Sequence, residues 1–111
     1  MNEKSKIMLI KEIASKYLYQ GPRYIGLGPN SGEQFRENIL LPWLNDLGDA
    51  KGIIDFEDTR MFSPSFLEEA FGGAVRLGYK SQISSLAFKN MPDSWERDVK
   101  KYIADAISKL N

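Results

Sequence analysis

Gly52-Ile53-Ile54-Asp55-Phe56 is an apolar run too short for a helix, and segments of helical periodicity flank it on both sides. A run of this length reads as a strand, and one set between helices reads as a central strand buried on both faces. Parallel neighbours joined by helical crossovers are the usual way to bury such a strand. The chain therefore has to be an α/β domain, a small, largely parallel or mixed sheet covered by helices.

Helix signals lie on either side. Upstream, Ser31 is placed to accept a hydrogen bond from a first-turn amide, with Gln34 three residues later as a capping box requires. Phe35, Ile39, Leu40, Trp43, Leu44 and Leu47 then fall on one face, and Gly48 closes the helix in a left-handed cap. Pro42 lacks an amide and crowds the carbonyl of Asn38, which predicts a kink. Downstream, Ser63 precedes Pro64 at a helix entry, where the missing amide costs nothing. Phe66, Leu67, Ala70, Phe71, Ala74, Val75 and Leu77 make a wide apolar stripe that ends at Gly78. Gly72-Gly73 inside that stripe costs about 1 kcal/mol per residue relative to Ala. Close approach of a neighbouring backbone is the expected reason.

The remaining elements are read the same way. Ile7 to Ile10 suits a buried strand, while Ile10, Ile13, Ala14, Tyr17 and Leu18 have helical spacing, so periodicity leaves residues 11–18 open between strand and helix. Gly21-Pro22 ends that segment, Arg23 to Leu27 reads as a short strand, and Ile83 to Phe88 as another. Asp93 and Glu96 open a last amphipathic helix through Trp95, Val99, Ile103 and Ala106. The expected order is β-(α)-β-α-β-α-β-α.

Length allows one domain, residues 1–111, and no second core. The chain has no histidine and no cysteine. A His general base, a Ser-His-Asp triad, a thiol nucleophile and imidazole or thiolate metal ligation are excluded, and the expectation is a protein that is not an enzyme and carries no cofactor. Fifteen basic residues balance fifteen acidic ones, which argues against nucleic acid as a partner. No apolar run reaches the roughly 20 residues that span a bilayer. Met1 to Lys6 leads into no signal-peptide pattern, so a cytoplasmic protein without membrane contact is expected.

Two motifs resemble a known family. Ile54-Asp55-Phe56 followed by Phe62-Ser63-Pro64-Ser65-Phe66-Leu67-Glu68-Glu69-Ala70-Phe71-Gly72-Gly73, with Ser31-Gly32-Glu33-Gln34-Phe35-Arg36-Glu37 and Leu40-Leu41-Pro42 upstream, is similar to the bacterial STAS-like domains of unknown function. Those domains are in turn similar to the anti-sigma-factor antagonists, in which an Asp-Ser-Ser-Gly turn leads from strand to helix and its second serine is phosphorylated by a kinase related to histidine-kinase ATPases. Laid on this sequence, Ser65 matches the phosphoacceptor. Ser63 replaces the acidic residue, Pro64 the first serine and Phe66 the glycine. The resemblance implies a protein-interaction module whose contact surface includes Phe62, Ser63, Pro64, Ser65, Phe66 and Glu69. Its partner would be a kinase-like ATPase or another signalling protein.

Each candidate has a plainer reading beside it. Ser63 or Ser65 can simply cap the helix, Ser65 with Glu68 as its own capping box. Residues 26–36 hold Gly26, Gly28 and Gly32 with Ser31, Glu33 and Arg36, which suits a nucleotide or phosphate ligand, yet no Gly-Lys-Ser/Thr ending follows. Asp55, Glu57 and Asp58 offer oxygens to Mg²⁺, although acidic loop residues are ordinarily solvated. Arg23, Arg36 and Arg60 are available to pair with those acids.

Overall fold

The computed structural model describes residues 4–110; the amino-terminal residues 1–3, on which part of the signal-peptide reading fell, lie outside the described residues. Three strands, β1 (Ser5–Leu9), β2 (Lys51–Asp55) and β3 (Ala87–Lys89), form one parallel sheet in the order β1-β2-β3. The register aligns Met8 with Ile54 and Ile54 with Phe88, and this row faces the core. The alternate row aligns Ile7, Ile53 and Ala87, of which Ile7 is 55 % exposed and the others half-buried. β2 is central as its sequence requires, but only one of its faces is fully covered.

The helices on that covered face are α1 (Ile10–Ile13), α2 (residues 32–45), α3 (residues 64–76), α4 (Lys80–Ser84) and α5 (Asp93–Ser108). The core they enclose with the sheet centres on Phe35, Leu40, Ile54, Phe66, Leu67, Phe71 and Val99. Residues 11–18 resolve as helical, α1 followed by a 3₁₀ turn at Ser15–Leu18 that buries Tyr17. Leu18 and Gln20 bond to Met61, giving a single parallel bridge between Tyr19 and Met61.

Two expected strands are corrected. Arg23 to Leu27 makes no ladder; Ile25–Leu27 is a 3₁₀ turn with Ile25 and Leu27 exposed, because the flanking backbone bonds Gly21 to Asn30 and Pro22 to Gly32 instead. The segment from Ile83 to Phe88 divides: Ile83 is buried on α4, and pairing begins only at Ala87. Among the described residues the order is thus β-α-α-β-α-α-β-α, with three strands rather than four.

The irregularity expected at Pro42 takes another form. α2 widens into a π turn over Arg36–Leu40, directly before the segment Leu41–Asn45 that carries the proline. An extra residue in the turn relieves the crowding that proline imposes on a regular helix. α3 has a second π turn at Glu68–Gly72, directly before Gly73. The two widened turns lie on helices that pack together.

Candidate functional site

The chain leaves the carboxyl end of β2, crosses a loop and enters α3 through Ser63 and Pro64. Ser63 is extended, and its Oγ accepts the Phe66 amide at 3.3 Å. Its own amide donates to Oε1 of buried Gln20 at 2.9 Å, and Gln20 Nε2 is buried without a partner among the described residues. Ser63 is therefore the cap. Ser65, one turn position further in, is exposed and its hydroxyl makes no hydrogen bond among the described residues. The box imagined between Ser65 and Glu68 does not form, because Glu68 turns toward arginines. Replacing Ser63 by Ala is expected to cost about 1 kcal/mol in chemical unfolding, and Ser65→Ala to stay within about 0.5 kcal/mol. Equal losses would contradict this division of labour.

Phe62 is half-buried and stacks on Trp95 at 5.5 Å with a 20° interplanar angle, so these rings support the turn from the side of α5. Phe66 and Glu69 are corrections to the expected contact surface. Phe66 is 2 % exposed and packs against Phe35 and Tyr17, while Glu69 is 8 % exposed within an ion cluster. The exposed rim is Pro64 and Ser65, flanked by the half-buried Phe62 and Ser63.

Beneath that rim lies a cluster that sequence spacing did not disclose. Arg36, buried on α2, donates from Nη1 to the Glu69 carboxylate at 2.5 Å and to the Glu69 carbonyl at 2.9 Å, and from Nε to Glu37 at 2.8 Å. Arg23 bonds Glu68 and reaches Glu69 at 3.3 Å. Arg76 bonds Glu68 at 2.8 Å and lies 3.7 Å from Glu69. Arg23 and Arg36 thus pair here, not with the acids of the 55–58 loop. The glycine pair is explained by the same cluster: an added Cβ at Gly73 would overlap the Arg36 guanidinium, and one at Gly72 would overlap the Glu68 carboxylate. Side-chain ends, the Arg36 guanidinium beside Gly73 and the Glu68 carboxylate beside Gly72, and not a neighbouring backbone, occupy the space.

Burial alone would raise the Glu68 carboxyl, but hydrogen bonds from Arg76 and Arg23 prevail and hold it below the ordinary value of 4.5. A carboxyl lowered in the folded state contributes stability above about pH 4.5, and that contribution fades as pH falls through the folded value. Melting temperature below pH 4.5 is therefore expected to fall more steeply in wild type than in Glu68→Gln. Parallel curves would show that the bridge is not coupled to folding.

The other candidates are arranged less favourably for ligands. Ser31 caps α2 by accepting the Gln34 amide at 2.9 Å, while Gly32 and Glu33 donate to the carbonyls of Pro22 and Arg23. The Glu33 carboxylate accepts the Ile25 amide. The amides that would hold a phosphate at this helix start are already spent on the chain itself. Asp55 accepts from the Glu57 amide and the Asn90 side chain, and Lys11 pairs with Glu57 and Asp58. Among the described residues no three acids or other ligating side chains gather as a metal site. An open groove of about 750 Å³ lies at the amino ends of β2 and β3, lined by Leu47, Lys51, Gln82, Ser85 and Leu86. Parallel sheets usually place ligands at the opposite, carboxyl ends of their strands. Among the described residues no helix is long and apolar enough to cross a membrane.

A family model described as a STAS-like domain of unknown function matches residues 31–94, from the cap of α2 to the first turn of α5. No curated protein and no solved structure matches the chain.

Proposed function

Because the chain belongs to the family of STAS-like domains of unknown function, we propose that it is a non-enzymatic protein-interaction module that docks a signalling partner on the rim formed by Phe62, Ser63, Pro64 and Ser65. The observation that supports this reading is the idle hydroxyl of Ser65, exposed on the first turn of α3 while its neighbour does the capping. A side chain without structural duty at this position is free to be modified. Phosphate there adds nearly two negative charges to the helix start, where amides and the dipole tolerate an anion. The nearby Glu68 and Glu69 are neutralised by arginines, so the modification changes the outer rim rather than the packing beneath it. A kinase-like ATPase is the partner class that the resemblance to anti-sigma-factor antagonists supports.

The test is affinity capture from the native host with wild type, Ser65→Ala and Ser65→Glu baits, followed by intact-mass analysis and peptide mapping. The expected result is a phosphate adduct on wild type mapped to Ser65, absent from Ser65→Ala, and a partner lost with Ser65→Glu. Unmodified bait that captures the same proteins in all three forms would overturn the switch.

A further inference from the structure

The Arg36 contacts have a consequence for the rim. A π turn inserts one residue into a helix, rotating everything before it by about 100° relative to an unbroken helix and widening the local backbone. In α3 the insertion at Glu68–Gly72 separates the first turn, Pro64–Leu67, from the segment Gly73–Arg76. The direction in which Pro64 and Ser65 face therefore depends on the π turn staying where it is. The Gly73 amide that ends the turn is shared among the carbonyls of Glu68, Glu69 and Ala70. Arg36 adds a side-chain donor to the Glu69 carbonyl and, from the same nitrogen, ties down the Glu69 carboxylate. The absence of a Cβ at Gly73 leaves the guanidinium room to do so. Arg36 itself begins the π turn of α2, so one side chain joins the two irregular turns.

We propose that Arg36 and Glu69 form a latch that fixes the π turn of α3 and so orients the exposed Pro64–Ser65 rim. Opening the latch loosens the π turn and the facing of Pro64 and Ser65, while Phe66, Leu67, Ala70 and Phe71 keep the segment packed in the core. This holds whether or not the rim binds a partner, since the latch concerns the order of the segment itself.

The test is hydrogen–deuterium exchange with mass spectrometry on the full chain, comparing wild type with Glu69→Gln and Arg36→Lys. Glu69→Gln keeps a carbonyl acceptor but removes the charge, and Arg36→Lys keeps the charge but loses the forked donor. Glu68→Gln, which leaves the Arg36 contacts intact, is the control. Exchange on the order of tenfold faster across 63–72, with β2 and α5 peptides accelerated clearly less, is the expected result for the first two variants. Glu68→Gln should leave the 63–72 peptides far closer to wild type. Unchanged protection of 63–72, an acceleration spread evenly over the chain, or global unfolding of both latch variants would each overturn the proposal. The latter two would show that the clamp contributes only to the stability of the whole fold.

Discussion

Arg36→Met is expected to destabilise the domain by about 3 kcal/mol, because it strands a buried carboxylate. Methionine keeps most of the apolar stem but removes the three donor contacts to Glu37, the Glu69 carboxylate and the Glu69 carbonyl. Removing one member of a buried ion pair usually costs about 3–5 kcal/mol. Arg23 and Arg76 remain 3.3 and 3.7 Å from Glu69, which places the effect at the lower end of that range. The double variant Arg36→Met/Glu69→Met should recover much of the loss, since two apolar side chains leave no unpaired charge. Urea unfolding of the two single variants and the double variant closes the cycle, with the midpoint falling and the slope unchanged in the single variants. A loss below about 1 kcal/mol for Arg36→Met, as for a surface pair, would mean that the cluster is solvated and its burial is of no consequence.

Some of this arrangement was legible from residues alone, and the reasons are local. Ser31 and Ser63 cap their helices because short side-chain oxygens beside first-turn amides act over three residues. Even there only half of the α2 capping box forms: Ser31 takes the Gln34 amide, while Gln34 Oε1 stays buried without a partner among the described residues. Gly48 and Gly78 have φ of +58° and +104°, as the ends of apolar stripes before glycine suggest. Strand status is a different matter, because it requires a neighbour. Tyr24, Ile25 and Leu27 have suitable side chains, yet among the described residues no strand lies alongside and all three stand exposed. Ile83 has an apolar character that strand and helix use equally, and Tyr79 to Ile83 bonding decided for helix.

The ion cluster was illegible for the same physical reason. Arg36 and Glu69 are 33 positions apart, and nothing in the spacing of either marks a partner. Gly72-Gly73 and Pro42 were visible as anomalies, and both prove to adjoin π turns. The anomalies were in plain view; the arginine that fills the space beside Gly73 was on another helix.

Phe66→Ala is expected to remove about 4 kcal/mol, a large part of the stability of a domain this size. The ring is 2 % exposed, with its centroid 5.5 Å from Phe35 and 6.1 Å from Tyr17, in a cluster that joins α2, α3 and the 3₁₀ turn. The backbone of Phe66 also lies against Gly32, where an added Cβ would overlap its carbonyl oxygen, so the surrounding helices have little freedom to collapse onto a cavity. A lowered melting temperature on the order of 15–30 °C follows from that loss. Phe66→Asp would bury an unpaired charge and is expected not to fold, so failure of that variant to bind a partner says nothing about the contact surface. Pro64 and Ser65 are the positions at which binding and folding separate: Ser65→Glu should melt within a few degrees of wild type while changing the rim. If instead Phe66→Ala melted like wild type, the ring would lie outside the core and the rim would extend to it. If Ser65→Glu melted as low as Phe66→Ala, the serine would carry structural weight that its free hydroxyl does not predict, and the switch reading would lose its support.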